Sequence, residues 1–301
     1  MRILCAVDGS EWSQWGVQAL EALADREPED VTLLHVVDPA AFRTGRGKNP
    51  LSEKRALAAM EKAGGIILRE AERSARVALG QAATGPHTKY HPVLAHGPLA
   101  RTIAKLAQRA KADLILIGSR GMSDIEGFLL GSISRQVASM APCPVFVVKQ
   151  PIRQLMRVTL AVDDSKPSRA AARFLRSCIL PESATTTILS SAERPVTDLA
   201  VRYLSKSQIE ELERPVVERA TKLVTSLRDD FLKEGYAVET DVKMDHVIDT
   251  IVKHVEASHT DLLVIGSRDL TKSERLHLGS VSESLLRHAP CSVLIVRGRR
   301  A

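Results

Sequence analysis

The chain has 301 residues, 44% of them apolar and 26% charged, with 17 glycines and 14 prolines. At about 150 residues per domain, that length makes one large domain or two ordinary ones, and the composition excludes a disordered or collagen-like chain. The net charge of +6 is a mild excess, tightest at Arg297, Arg299 and Arg300 and at Arg43, Arg46 and Lys48; with aromatics at 3% it reads as a solvated surface, and no nucleic-acid partner is expected.

Short β-branched runs alternate with long amphipathic segments. Ile3–Val7 and Val31–Val37 are continuous apolar runs, the pattern of strands buried on both faces. Between them, Ser10 is placed to cap a helix in which Trp12, Trp15, Ala19, Leu20 and Leu23 recur at helical spacing. A long helical pattern runs from Glu53 to Leu79, with an interruption expected at Gly64-Gly65. A strand near Tyr90–Leu94, a helix from Leu99 to Ala110, a strand Leu114–Ile117, a helix from Ser132 and a strand Val145–Val148 complete the first half. The order βαβαβαβαβ implies a doubly wound parallel sheet with right-handed crossovers.

The second half repeats the first. Asp113-Leu-Ile-Leu-Ile-Gly-Ser-Arg120 recurs as Asp261-Leu-Leu-Val-Ile-Gly-Ser-Arg268, an offset of 148 residues. The same offset carries Leu130-Gly131-Ser132 onto Leu278-Gly279-Ser280, and Ala141-Pro142-Cys143 onto Ala289-Pro290-Cys291. Arg2–Ser10 recurs as Arg157–Ser165 at an offset of 155, so the difference in length is absorbed in the middle of each half. The second-half strands are expected at Val158–Val162, Thr185–Leu189, Val238–Met244, Leu262–Ile265 and Val293–Val296, with Pro215 splitting the helical stretch from Ser205 to Lys233. The fold class is therefore α/β: two tandem doubly wound, parallel five-stranded sheets, with domains at 1–150 and 151–301 joined near Lys149 to Met156.

In an open parallel sheet, ligands bind at the carboxyl ends of the strands where the order reverses. That rule selects Asp8-Gly9-Ser10 after the first strand and Gly118-Ser119-Arg120-Gly121 after the fourth, the latter continuing for nine residues to Gly131-Ser132 at a helix start. Glycines let the backbone approach an anion, and the free amides at a helix start point at it with the positive dipole end. Neither a Walker loop nor the Gly-x-Gly-x-x-Gly order is present.

Gly118-x2-Gly121-x9-Gly131-Ser132, preceded by Ala6–Ser10 and followed by Ala141–Val145, resembles the universal stress protein family, and the similarity runs through both halves. The fold this implies is Rossmann-like, of the adenine nucleotide alpha hydrolase type. The resemblance implies that the first half binds ATP, with ADP or AMP as alternatives and Mg accompanying the nucleotide. Asp8 would contact the adenosine with backbone near Val36 and Val37. Gly118, Gly121, Gly131 and Ser132 would hold the phosphates, and Ser119 and Arg120 would line the loop. Gly97-Pro98, after His96, falls where the family often has a turn beside the site. One departure is that Met122–Leu130 contains no basic residue and carries Asp124 and Glu126.

The second half departs further. Asp269 stands where the motif has its second glycine, and a carboxylate beside phosphate oxygens adds repulsion of roughly 1–4 kcal/mol in a surface-like dielectric. Asp245-His246 lacks the turn glycine, while Gly279-Ser280 survives and Lys272 and Arg275 supply basic residues. This half reads as a degenerate copy retained for packing.

Several residues carry plainer readings. Asp8 and Asp163 also suit helix capping, His35 reads as a core histidine, and Cys143 and Cys291 read as buried structural thiols. His254 and His259, five apart, do not share a helix face, so no metal site is expected. No Ser/His/Asp order or Gly-x-Ser-x-Gly elbow is present, so at most slow ATP hydrolysis is expected and no catalytic residue is assigned. Cys5, Cys143, Cys178 and Cys291 are too sparse for a disulfide scaffold. No apolar run approaches the ~18 residues of a membrane span, and no signal peptide is visible, so a cytoplasmic protein without a membrane partner is expected. The reading is an ATP-binding universal stress protein with a regulatory role. The alternatives are an interaction scaffold of the same fold without nucleotide, and an adenylating or pyrophosphatase enzyme, whose Ser-Gly-Gly-x-Asp-Ser loop Asp8–Glu11 does not match. The apolar final strands Pro144–Val148 and Ser292–Val296 are expected to pair antiparallel within one chain as a pseudo-dimer, with further homodimers open.

Overall fold

Each β-branched run becomes a strand in the computed structural model, which describes residues 1–42, 50–80, 88–122, 130–193, 195, 203–267 and 278–297. Arg43, Arg46, Lys48, Asp124, Glu126, Arg268, Asp269, Lys272, Arg275, Arg299 and Arg300 lie outside the described residues. The chain divides into two compact units, the first built mainly from Met1–Gln154.

The first unit runs β1 (Arg2–Ala6), α1 (Glu11–Gln18), β2 (Asp30–Val37), α2 (Pro50–Ala78), β3 (Lys89–His96), α3 (Leu99–Arg109), β4 (Leu114–Gly118), α4 (Ser132–Met140) and β5 (Val145–Val148). Its strands are parallel in the order β3-β2-β1-β4-β5, with Ile3 opposite both Val31 and Leu114. Helices α1 and α2 pack together on one face, and α3 and α4 pack together on the other. That arrangement buries β1 and β4 on both sides, which is why Leu4 and Leu114–Leu116 form unbroken apolar runs at 0% exposure. Each such fully buried Leu or Ile stabilises the fold by about 1.5–3 kcal/mol relative to exposure. The outer strand β3 has no fully buried position, and Lys89, His91, Pro92 and His96 are exposed, features that discourage pairing with another chain.

The second unit repeats the plan as β6 (Arg157–Ala161), α5 (Lys166–Phe174), β7 (Thr185–Ala192), α6 (Lys206–Lys233), β8 (Ala237–Met244), α7 (Val247–Ala257), β9 (Leu262–Ser267), α8 (Ser280–His288) and β10 (Ser292–Arg297). Its sheet order is β8-β7-β6-β9-β10, again parallel. A single π-turn, Leu175–Ile179, ends α5.

Three local expectations are corrected. The buried face of α1 is Ser13, Gly16 and Val17; of the residues read at helical spacing, Trp12 and Trp15 are half-buried on its flank, while Ala19, Leu20 and Leu23 are buried beyond its end at Gln18. The cause is a close approach: a Cβ on Gly118 would stand 2.5 Å from the carbonyl carbon of Trp12 and 2.8 Å from the amide nitrogen of Ser13. With the helix backbone that near the end of β4, only small residues fit beneath it. Gly266 meets Pro167 and Ser168 in the same way in the second unit, at 2.5 and 2.6 Å.

Gly64-Gly65 does not interrupt α2, which is continuous from Pro50 to Ala78. A Cβ at Gly64 would lie 2.7 Å from both His35 Cδ2 and Leu94 Cδ1, so the glycine lets the helix settle onto β2 and β3. Pro215 does not split α6 either. The buried residues of that helix begin at Ala220, and both Pro215 and Glu211, whose carbonyl loses its donor, are exposed to solvent.

Candidate functional site

The strand order reverses beside β1 and β4: the chain steps outward through β2 and β3, then returns past β1 to β4 and β5. The segments leaving β1 and β4 therefore diverge to opposite faces, and the crevice between them is the topological switch point. Asp8 and the 118–122 segment both lie there.

Ser10 caps α1 as its sequence position suggests, its hydroxyl oxygen accepting from the Ser13 N–H at 3.2 Å. The Asp8 carboxylate is held by the same turn. Its Oδ1 accepts from the Ser10 N–H at 2.9 Å and from the Ser10 hydroxyl. Its Oδ2 reaches across the crevice and accepts from the Met122 N–H at 3.1 Å. The Asp8 side chain thus joins two loops 114 residues apart in sequence.

The segment after β4 is pinned at several points. Ser119 is 2% exposed; its N–H donates to the Val148 carbonyl at 2.8 Å, and its carbonyl accepts from the Gly131 N–H at 2.7 Å. The buried Ser134 hydroxyl lies 2.7 Å from the Gly118 carbonyl oxygen and 3.0 Å from that of Ser119, sharing its proton between them. These bonds bring the start of α4 against the end of β4. Gly131 precedes α4 in extended conformation (φ −75°, ψ 156°) and no side chain among the described residues caps the helix. The first-turn amides at Ser132, Ile133 and Ser134 therefore have no intrahelical acceptor, and Ser132 is exposed beside them. Such a helix start attracts an anion.

The predicted site residues divide into two sets. Asp8, Ser119, Arg120, Gly121, Gly131 and Ser132 are brought to the crevice by the bonds just described. Gly118 is fully enclosed, and its lack of a side chain is required by α1 whether or not a ligand binds. The Gly131 amide is spent on Ser119, so the helix amides beyond it are the available donors. Val36 and Val37 are 6% and 0% exposed, leaving only their backbone to meet a ligand, and the Val37 carbonyl already accepts from the Gly97 N–H at 3.0 Å. His35 is half-buried; its Nδ1 lies 2.8 Å from the Val7 carbonyl oxygen, and because that oxygen can only accept, Nδ1 carries the proton.

Three participants escaped the sequence reading: Met122, Ser134 and Trp12. Ser134 had a usable signal, since Ser282 repeats it at the 148-residue offset and donates likewise to the Gly266 carbonyl at 3.3 Å. Met122 and Trp12 had none, because their roles arise from contacts between distant segments.

The second unit keeps part of this design. Asp163 Oδ1 accepts from the Ser165 N–H at 3.3 Å and from the hydroxyls of Ser165 and Ser168, all in its own turn. Gly279 leads into α8 without a side-chain cap. The residues that would decide whether this crevice accepts phosphate, Asp269 above all, lie outside the described residues.

Among the described residues, no exposed thiol faces the crevice. Burial pushes the Cys5 thiol far above its ordinary range, so it stays protonated within β1. Cys143 and Cys291 are also buried. Among the described residues no three His, Cys, Asp or Glu side chains gather as a metal site, and no helix is long and apolar enough to cross a membrane.

The repeated sheet and its crevice define a Rossmann-like, doubly wound α/β protein with two copies of one fold. Residues 1–149 and 155–297 each match the model of the universal stress protein family, and the chain belongs to that family as a tandem two-domain member. It is 30% identical over 155 residues to the universal stress protein YxiE of Bacillus subtilis, a match covering 49% of this chain and 98% of that protein. A universal stress protein of Thermus aquaticus is 31% identical over 147 residues, covering 49% of this chain and 97% of its own. The crystal structure of a universal stress protein from Archaeoglobus fulgidus shares the fold over 98% of this chain and 96% of its own, with a TM-score of 0.67 at 21% identity.

Proposed function

We propose that the first unit binds one adenine nucleotide, ATP foremost, and that the protein acts as a nucleotide-responsive stress regulator rather than as an efficient enzyme. One observation carries the reading: the Asp8 carboxylate and the uncapped start of α4 are drawn to the same crevice by the Asp8–Met122 and Ser119–Gly131 hydrogen bonds. A carboxylate suited to hydroxyl or amine donors at one end, and free helix amides at the other, is the polarity a nucleotide presents between its nucleoside and its phosphates. Ser132 adds a hydroxyl at the phosphate end, with Gly121 and the backbone of Val36 and Val37 completing the cradle. Mg would travel with the nucleotide, since no described cluster of acids is arranged to hold it alone.

Catalysis beyond slow hydrolysis needs a positioned acid, base or nucleophile. Asp8 is anchored as an acceptor by Ser10 and Met122, and the thiol of Cys5 is enclosed. A turnover number for ATP below about 1 s⁻¹, the low end of ordinary enzymes, is the expected result.

The scaffold reading keeps one observation in its favour. Gly118 and the Gly131 amide are both explained by packing and internal bonding, so part of the glycine motif would persist without a ligand. Native mass spectrometry of the full chain with ATP separates the two readings. A single-nucleotide adduct supports binding by the first unit; no adduct at high nucleotide supports the scaffold.

A further inference from the structure

The segment between the two pinned points of the loop carries one cation. Arg120 follows Ser119, whose carbonyl is held by Gly131, and precedes Gly121 and Met122, whose amide is held by Asp8. Its backbone is therefore fixed within the crevice. Its guanidinium lies over the indole of Trp12, 5.3 Å from the ring centroid, within the ~6 Å range of a cation–π contact. The half-buried Arg120 forms no ion pair or hydrogen bond with a described residue. Trp12 is braced in turn by Trp15, edge to face at 6.1 Å and 74°, and by the packing of its backbone on Gly118. The second unit has no such ring: Pro167 occupies the position against Gly266 that Trp12 occupies against Gly118.

We propose that Arg120, parked on the Trp12 ring, reads the number of phosphates on the bound nucleotide, with Trp12 as its positioning residue. The inference rests on the nucleotide reading above. Helix amides answer a first phosphate through the dipole of α4, but each further phosphoryl group adds charge that a nearby cation must answer. Met122–Leu130 contains no Lys or Arg, so Arg120 is the basic residue that the loop sequence places there. An arginine resting on an indole breaks no salt bridge to a described residue when it turns to a phosphate, and the ring limits the rotamer freedom it must give up. Nucleoside triphosphate should thus be preferred over monophosphate, and the preference should depend on both residues.

The test titrates the full chain with ATP and with AMP and compares the ratio of the two dissociation constants among the wild type, Arg120→Gln, Arg120→Lys, Trp12→Leu and Trp12→Phe. The expected wild-type ratio favours ATP by about tenfold, the size of one charge-assisted contact. Arg120→Gln should bring the ratio near unity, with ATP weakened far more than AMP. Arg120→Lys should keep part of it, Trp12→Leu should reduce it, and Trp12→Phe, which retains a ring, should restore it. In a Trp15→Phe background the remaining indole emission should change with ATP and much less with AMP. A ratio unchanged in Arg120→Gln, or equal losses for both nucleotides, would overturn the proposal. A wild type that binds neither nucleotide would instead sink the nucleotide reading itself. If Trp12→Leu fails to fold, the two Arg120 variants still decide the matter.

Discussion

Gly118 shows how one residue can satisfy a motif and a packing demand together. Its missing side chain lets the backbone of α1 approach the end of β4, and Gly266 repeats the arrangement. Inserting a methyl group against a main chain that cannot withdraw costs about 1–3 kcal/mol. Gly118→Ala and Gly266→Ala should each lower the unfolding free energy in urea by that amount, with no nucleotide present. Equal stability of either variant would mean that α1 or α5 shifts freely. His254 gives a pH-dependent case. Its Nε2 is buried without a hydrogen-bond partner among the described residues, and desolvation lowers its pKa from 6.5, opposed by Asp241 3.7 Å from Nδ1 and aided by Lys243. The folded state thus favours the neutral ring while the unfolded chain binds the proton more readily. This contribution is fully present above the unfolded pKa and is lost as pH falls through 6.5 toward the lower folded value. His254→Gln should flatten the fall in stability between about pH 8 and pH 5; an unchanged pH profile would show that His254 plays no part in it.

The elements were legible where burial is symmetrical. Strands covered on both faces leave unbroken runs such as Leu114–Ile117, and the repeat then located the same strands in the second half. Legibility failed where a glycine or proline serves close contact or sits at a solvated surface. Gly64 reads as a break in sequence, yet α2 needs it to lie on His35 and Leu94. Pro215 reads as a stop, yet it lies in a turn of α6 exposed before the buried face begins. That placement carries a measurable cost, since proline inside a helix is about 3 kcal/mol less favourable than alanine, partly offset by its stiffening of the unfolded chain. Pro215→Ala should raise the stability of the second unit by about 1–2 kcal/mol in thermal or urea unfolding. A loss of stability would show that Pro215 supports a specific bend. In the candidate site, Asp8, Gly118 and Gly131 recur as Asp163, Gly266 and Gly279 and could be read from the repeat, but the Asp8–Met122 bond could not. It joins residues 114 apart, and nothing in either local sequence announces the partner.

On the scale of the whole chain, two copies of one fold differ in the chemistry offered at the same place. The first has Gly121 and Trp12, where the second has Asp269 and Pro167. Duplication preserves the packing set, with Ser134 and Ser282 holding Gly118 and Gly266 alike, while the residues that would meet a ligand diverge. The proposed binding is therefore asymmetric: one nucleotide per chain, held by the first unit. Calorimetric titration of the full chain with ATP, wild type against Gly121→Asp, tests this most directly. The account predicts one site per chain in the wild type and loss of binding in the variant, because the substitution introduces the carboxylate that the second copy carries. Two equal sites, or an affinity unchanged by Gly121→Asp, would contradict it.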